Sequence, residues 1–412
     1  MSAVTIFLCG AGSRGRTVFG KFALDNPELA RVVGVAEPDP KKRALAKEEH
    51  NLDDSQVFSD WRELPQDEAL AQVMIVATHD RDHLEPSLAF LRAGYHLLLE
   101  KPMASTLEEC RQIVEASEKS GTISAVCHVL RYTPYFKKMK QLIEDGTIGK
   151  VVTIRHFEPV NYWHFAHSFV RGNWRDSETT SPFILAKCCH DMDILYFLMG
   201  QRPTAIQSFG SLHYFRPESA PPEATERCVT CPLKDECCYS ATRFYGHFLD
   251  SGIHGWPLDV LIQDFTPEAL NQALAEGPYG RCVYHCDNNV CDHQVVNLIF
   301  EDGATASMTA TAFTERPARE TEVFGSTGSL KGDGYKIVWT DFRDRKEHVI
   351  EIEQTVGHHL GGDDGMLREF FTAVQTGDAS SVSTSPTVSL ISHEMALLAE
   401  KSRLNGKTLE IK

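Results

Sequence analysis

Six residues near the start of the chain, Gly10-Ala11-Gly12-Ser13-Arg14-Gly15, restrict its fold more than any other stretch. They follow the apolar run Val4–Cys9, which reads as a strand. They precede residues 16–24, whose apolar side chains recur at helical spacing. Glycines at these intervals each answer a different demand. The first allows a tight turn, the second lets a phosphate approach bare backbone, and the third lets helix and strand pack closely. The helix N-terminus then offers unpaired N–H groups and the positive end of a dipole to a pyrophosphate. A second β-type run, 31–36, ends at Glu37, about twenty residues beyond Gly15. A strand before the loop, a helix after it and an acid at that distance together predict a dinucleotide site. Gly10, Gly12, Ser13, Arg14 and Gly15 would surround the pyrophosphate. Glu37 would accept hydrogen bonds from the adenosine ribose and repel a 2′-phosphate, which favours NAD. Lys41, Lys42 and Arg43 nearby keep NADP as the alternative.

The segments that follow continue the alternation of strand and helix. Helical patterns cover 41–49, 83–93 and 106–119, the last opening with a capping box of Ser105/Thr106 with Glu108/Glu109. Apolar strand runs cover 73–77, 95–99 and 123–127. Such strands carry few polar residues because both faces of a parallel sheet are covered. The expected fold class is therefore α/β, an N-terminal doubly wound parallel sheet of Rossmann type. Ligands bind such sheets at the strand C-termini. Two loops emerge there, 78–83 and Glu100-Lys101-Pro102, and they add Thr78, His83, Glu100 and Lys101 to the cofactor set.

Beyond about residue 150 the pattern changes. Alternating strands are expected at 151–157, 205–210, 295–300, 304–313, 320–324 and 336–340, with helices at 184–198, 370–375 and 390–402. This predicts a C-terminal α+β domain with an open, largely antiparallel sheet. The expected division is 1–128, 129–384 with a Cys-rich insertion about 214–292, and a C-terminal helix and tail over 385–412.

Acidic residues outnumber basic ones, 57 to 41, for a net charge of −16. That disfavours nucleic acid or an anionic membrane as partner. No apolar run approaches the roughly 20 residues of a membrane helix, and the start lacks a basic leader. A cytoplasmic location is expected, where thiols stay reduced. Seven of the twelve cysteines fall between Cys228 and Cys291. Cys228-x-x-Cys231-Pro followed by Cys237 has the spacing of a zinc knuckle. Structural zinc on Cys228, Cys231, Cys237 and Cys282 is the expectation taken forward. Cys238, Cys286, Cys291 or a histidine are other choices of fourth ligand. An iron–sulfur cluster and buried free thiols are the competing readings.

Glu100-Lys101-Pro102, Arg131 with Pro134, Gly146 with Gly149, and Cys189-His190-Asp191-Met192-Asp193 join the glycine loop in a wider pattern. On these motifs the chain resembles the glucose–fructose oxidoreductase / inositol dehydrogenase (Gfo/Idh/MocA) family, with a weaker match at Phe324–Leu330. The resemblance implies a cis-proline at Pro102, a sugar or cyclitol substrate, and a homodimer or homotetramer formed through the C-terminal sheet.

The chemistry agrees. Oxidising a secondary alcohol needs a base, and histidine suits neutral pH. His190 fits that role, and Lys101 would steady the alkoxide. Asp193, three residues on, shares a helix face with His190 and would orient it or bind a hydroxyl. The family's usual aspartate is replaced by Ala186, and Lys187 is the adjacent polar group, a second cation that fits either a carboxylate-bearing substrate or a retuned His190. Substrate contacts are expected from His128, Arg131 and Tyr132. Others are expected from Arg171, Asn173 and Trp174 within 161–175, and from Asp287, Asn288 and His293 within 284–293. Two alternatives remain. One is an enzyme that retains NAD and uses transient oxidation for epimerisation or glycoside cleavage. The other is a non-catalytic nucleotide- or sugar-sensing regulator, against which the pairing of Lys101 with His190 argues.

Overall fold

The computed structural model describes residues 2–65, 70–315, 318–353 and 358–411. Its first sheet contains β1 (Val4–Cys9), β2 (Ala30–Ala36), β3 (Val57–Phe58), β4 (Val73–Val76), β5 (His96–Leu99) and β6 (Ser124–Val126). All pairings are parallel, in the order β3-β2-β1-β4-β5-β6. This is the doubly wound order, and its reversal falls between β1 and β4, where the glycine loop emerges. β4 is buried along its whole length, as helices on both faces require. After the glycine loop the chain makes wide π turns over Ser13–Gly20 before the short α-helix Lys21–Asp25.

Among the described residues the second sheet has nine strands. They are β7 (Val151–Asn161), β8 (Pro203–Ser211), β9 (His293–Phe300), β10 (Thr305–Thr314), β11 (Glu320–Gly325), β12 (Gly328–Gly332), β13 (Lys336–Asp341), β14 (Glu347–Glu351) and β15 (Leu409–Glu410). Their order is β14-β13-β12-β11-β7-β10-β9-β8-β15, and the β7–β10 pair alone is parallel. Alternate residues of β9 face the core, Val296, Leu298 and Phe300 among them, as the period of a one-sided sheet demands.

Two departures from the sequence pattern shape the site. The single helix expected at 184–198 is two, Phe183–Ala186 and Cys189–Met199, separated where Cys188 leaves helical geometry. The C-terminal helices are longer than expected, Gly362–Thr376 and Pro386–Asn405. Gly362–Thr376 buries Met366, Leu367, Phe370 and Phe371 in the core of the first sheet, and Phe371 stacks on Phe22 with centroids 5.9 Å apart. At about 1.5–3 kcal/mol for each large apolar side chain buried, this helix is an integral layer of that core. Pro386–Asn405 lies against both Leu107–Ser120 and Cys189–Met199 and so ties the two sheets together.

The insertion carries helices Ala241–Asp250 and Pro267–Glu276 around a small core that includes Tyr245, Leu258, Leu270 and Leu274. Among the described residues no helix is long and apolar enough to cross a membrane.

Candidate active site

The glycine loop is shaped by contacts that leave no room for side chains. Gly10 has φ +97°, and a Cβ there would lie 2.6 Å from the Ala77 carbonyl oxygen. A Cβ on Gly15 would lie 1.9 Å from the Gly10 oxygen, so helix and strand could not meet. At Gly12 the same test finds open space, the room a pyrophosphate needs. Glu37 is buried. Its Oε2 accepts the Ala11 N–H at 2.7 Å and its Oε1 accepts the Asp39 N–H at 2.9 Å. It holds the loop in shape. Ser13 Oγ pairs with Thr17 Oγ1 at 3.3 Å.

Arg14 bonds to Glu100 through Nε and to Asp363 through Nη2, each at 2.5 Å. Glu100 Oε2 also accepts the Lys101 N–H at 2.9 Å. The glycine loop, the Glu-Lys-Pro loop and helix Gly362–Thr376 are thereby locked to one another. Thr78 and His83 serve the same framework. Thr78 Oγ1 donates to the Asp82 carbonyl, and the His83 ring sits between the Pro102 and Thr78 carbonyls at 2.8 and 3.2 Å.

The Lys101–Pro102 peptide is cis. Lys101 Nζ donates to the Ala186 carbonyl at 2.9 Å, which brings the end of β5 against helix Phe183–Ala186. His190 lies in the next helix, 3% exposed, and both its ring nitrogens are buried with no hydrogen-bond partner. Polar atoms left this way in a native fold ask for a ligand. Its ring lies 5.8 Å from that of His128 and 5.7 Å from that of His359. Burial, and then the charge of Lys101, push the His190 imidazole well below its ordinary range.

Behind these groups is a charged layer of which sequence reasoning singled out only Lys187. Lys187 Nζ is 3.6 Å from Glu158 Oε1, and burial lowers the ammonium's affinity for its proton. Arg319 Nε reaches Glu158 Oε2 at 2.8 Å and Asp191 Oδ1 at 2.6 Å. Asp191 also meets His156 Nε2 at 2.9 Å, and Arg319 and His156 hold its carboxyl well below the usual carboxylate range against the opposing effect of burial. His359 Nδ1 meets Asp363 Oδ2 at 2.7 Å. The signal for Asp191 was its place inside the His190 motif. Glu158, Arg319 and His359 sit on separate segments with no local pattern to mark them.

Several predicted contacts are engaged elsewhere. Asp193 and Arg131, assigned to catalysis and substrate, form a buried bidentate pair at 2.6 and 2.7 Å. Tyr132 bonds Thr384 Oγ1 at 3.0 Å, and His128 makes edge-to-face contacts with His190 and His393, with Nε2 on Ser392 Oγ. Arg171 is buried under the insertion, donating to the Arg281 and Tyr239 carbonyls at 2.7 Å. Asp287 pairs with Arg175 and Arg281, and Asn288 donates to the Phe215 carbonyl. His293 meets the neighbouring Asp292 at 2.8 Å. These polar stretches read as sugar contacts because their composition is the same. In the fold they join the insertion to the sheet. Trp174, on the turn it shares with Asn173, donates to Asp80 and so links the two sheets' loops.

The zinc expectation finds no support in the cysteine geometry. Cys228, Cys231, Cys237 and Cys282 line one cavity of about 290 Å³ together with Arg171. Yet among the described residues no three His, Cys, Asp or Glu side chains are grouped as a metal would require. Arg171 Nη2 instead donates to Cys228 Sγ at 3.6 Å, and that thiol points to the Arg281 carbonyl. Burial pushes the Cys282 thiol up to about 11. All twelve cysteines are free thiols.

Comparison with known proteins gives the family. Residues 4–128 match an oxidoreductase family with an NAD-binding Rossmann fold, and residues 136–331 match the GFO/IDH/MocA C-terminal domain. The chain belongs to this family of NAD(P)-dependent oxidoreductases acting on CH–OH groups. It is 24% identical over 396 residues to YteT of Bacillus subtilis (strain 168), covering 89% of this chain and 88% of that protein. It is 32% identical over 173 residues to inositol 2-dehydrogenase 2 of Saccharopolyspora erythraea, covering 42% of this chain and 47% of that enzyme. Among solved structures, levoglucosan dehydrogenase in complex with NADH and levoglucosan shares the fold over 100% of both chains, with a TM-score of 0.72 at 18% identity.

Proposed function

We propose that the protein is an NAD-dependent dehydrogenase that oxidises a secondary alcohol of a sugar, sugar acid or cyclitol. The observation that carries this reading is His190, whose two buried, unpartnered nitrogens lie within electrostatic reach of Lys101. Gly12, with open space beside it, and the rest of the glycine loop would hold the dinucleotide, which supplies a hydride acceptor. His190 takes the hydroxyl proton, and the Lys101 ammonium stabilises the charge that develops on oxygen. Lys187 and Arg319 add two cations against the carboxylates of Glu158 and Asp191. Asp193 acts by fixing Arg131 and the helix that carries His190. The outer face of the nine-stranded sheet exposes Phe209, Ile299 and Phe324, which supports assembly through that face as a dimer or tetramer.

The test is NADH formation across a panel of sugars, sugar acids and inositols, with NAD and NADP in parallel. Turnover on a polyol with a preference for NAD is expected. Nucleotide binding with no turnover on any member would sink the reading in favour of a sensor.

The pH profile follows from the sign of the His190 shift. A lowered pKa leaves the imidazole neutral, and able to accept a proton, across the neutral range. The acid limb of kcat/KM for oxidation is therefore expected below the roughly 6.5 of a free histidine. A limb centred above that value would exclude His190 as the base.

A further inference from the structure

The cavity beside the glycine loop measures about 470 Å³, and the insertion forms its far wall. Gly12, Ser13, Arg16 and Asp39 line one side, and Asp259 and Gln263 line the other. At the C-terminal ends of β1 and β2 a doubly wound sheet receives the adenosine half of a dinucleotide. The acids already there hold backbone. Each oxygen of Glu37 accepts a backbone N–H, and Asp39 Oδ1 accepts two, from Lys41 and Lys42, to cap helix Pro40–His50. Asp259 differs. Its Oδ1 is buried and has no hydrogen-bond partner, although the residue as a whole is only half-buried. The exposed part of its carboxylate stands on the cavity wall within electrostatic reach of Arg16 and Lys42, where a hydroxyl entering the cavity can donate to it.

We propose that Asp259 of the insertion sets the cofactor preference, accepting hydrogen bonds from the adenosine ribose and repelling a 2′-phosphate. The charge of the cavity supports this assignment. Its Rossmann wall presents Arg16, Lys41 and Lys42, cations that would welcome a 2′-phosphate. Asp259 and Asp264, carried in by the insertion, oppose them. The cofactor preference that the loop-to-acid spacing assigns to Glu37 is in this reading set by a residue more than two hundred positions later. The inference rests on reading this cavity as the dinucleotide site, and it is independent of the substrate.

The experiment measures equilibrium Kd values for NADH and NADPH by fluorescence, with no substrate present, on the full chain and its Asp259→Ala, Asp259→Asn and Glu37→Gln variants. For Asp259→Ala, NADH binding is expected to weaken roughly tenfold, and the NADPH-to-NADH affinity ratio to rise by at least as much. Asp259→Asn should move the ratio in the same direction by less. Glu37→Gln, which loosens the loop, should weaken both nucleotides alike. A ratio unchanged in both Asp259 variants overturns the role of Asp259 alone. Failure of the unaltered protein to bind either nucleotide overturns the dinucleotide reading as a whole.

Discussion

Lys101→Met is expected to lower kcat/KM by roughly 10²–10³-fold, the usual cost of removing one donor aimed at a developing oxyanion. NADH affinity should change far less. Methionine keeps much of the lysine's length and apolar stem, so the loop between β5 and helix Phe183–Ala186 loses its charge and one hydrogen bond, to Ala186 O, but little packing. The variant also carries a second signature. The Lys101 charge is the largest influence after burial that lowers the His190 imidazole. Without it the acid limb of the residual activity should move upward in pH, toward that of a free histidine. Stopped-flow or steady-state rates across pH check both effects. Full turnover with an unmoved limb would remove Lys101 from the reaction. His190→Ala, taking away the base, should cost a comparable 10²–10⁴-fold.

Asp193→Asn is expected to destabilise the fold by about 3–5 kcal/mol, because it strands a buried guanidinium. The Arg131 side chain is 6% exposed and that of Asp193 1%, and the two oxygens take up Nε and Nη2. The further partners of Arg131, the Ser383 carbonyl at 3.1 Å and the faces of Tyr196 and Phe197, offer no compensating charge. Urea-unfolding midpoints of Asp193→Asn, Arg131→Met and the double variant measure the coupling. The double variant should lose clearly less than the two single losses combined. If Asp193 instead touches substrate, the single variant will keep wild-type stability and fail in KM or kcat. That result would return Asp193 to the catalytic set.

What could be read along the chain was whatever a local period encodes. The glycine spacing between β1 and its helix depends on neighbours within a few residues, and so does the capping box at Thr106. The parallel sheet was legible because strands covered on both faces must be apolar throughout. The one-sided sheet was legible because its residues must alternate. Lys101 and His190 stood out as the residue types that alcohol oxidation needs, each inside a motif.

Partnership was not legible. Asp193 is a helix turn from His190, yet Arg131, on a different segment, takes its carboxylate. The cysteine knuckle has ligand spacing, but Arg171 and the Arg281 carbonyl occupy the Cys228 thiol. Glu158, Arg319 and His359 carry no periodic mark, because what assembles them is the crossing of strand β7, the stretch before β11 and the start of a C-terminal helix. The glycine loop and its acid therefore established a nucleotide site from sequence alone, since turn geometry and helix dipoles are local. The tertiary fold decided which carboxylates face that site and which are paired in its walls. Charges and hydrogen bonds act across space, and a linear spacing does not encode which distant groups will meet.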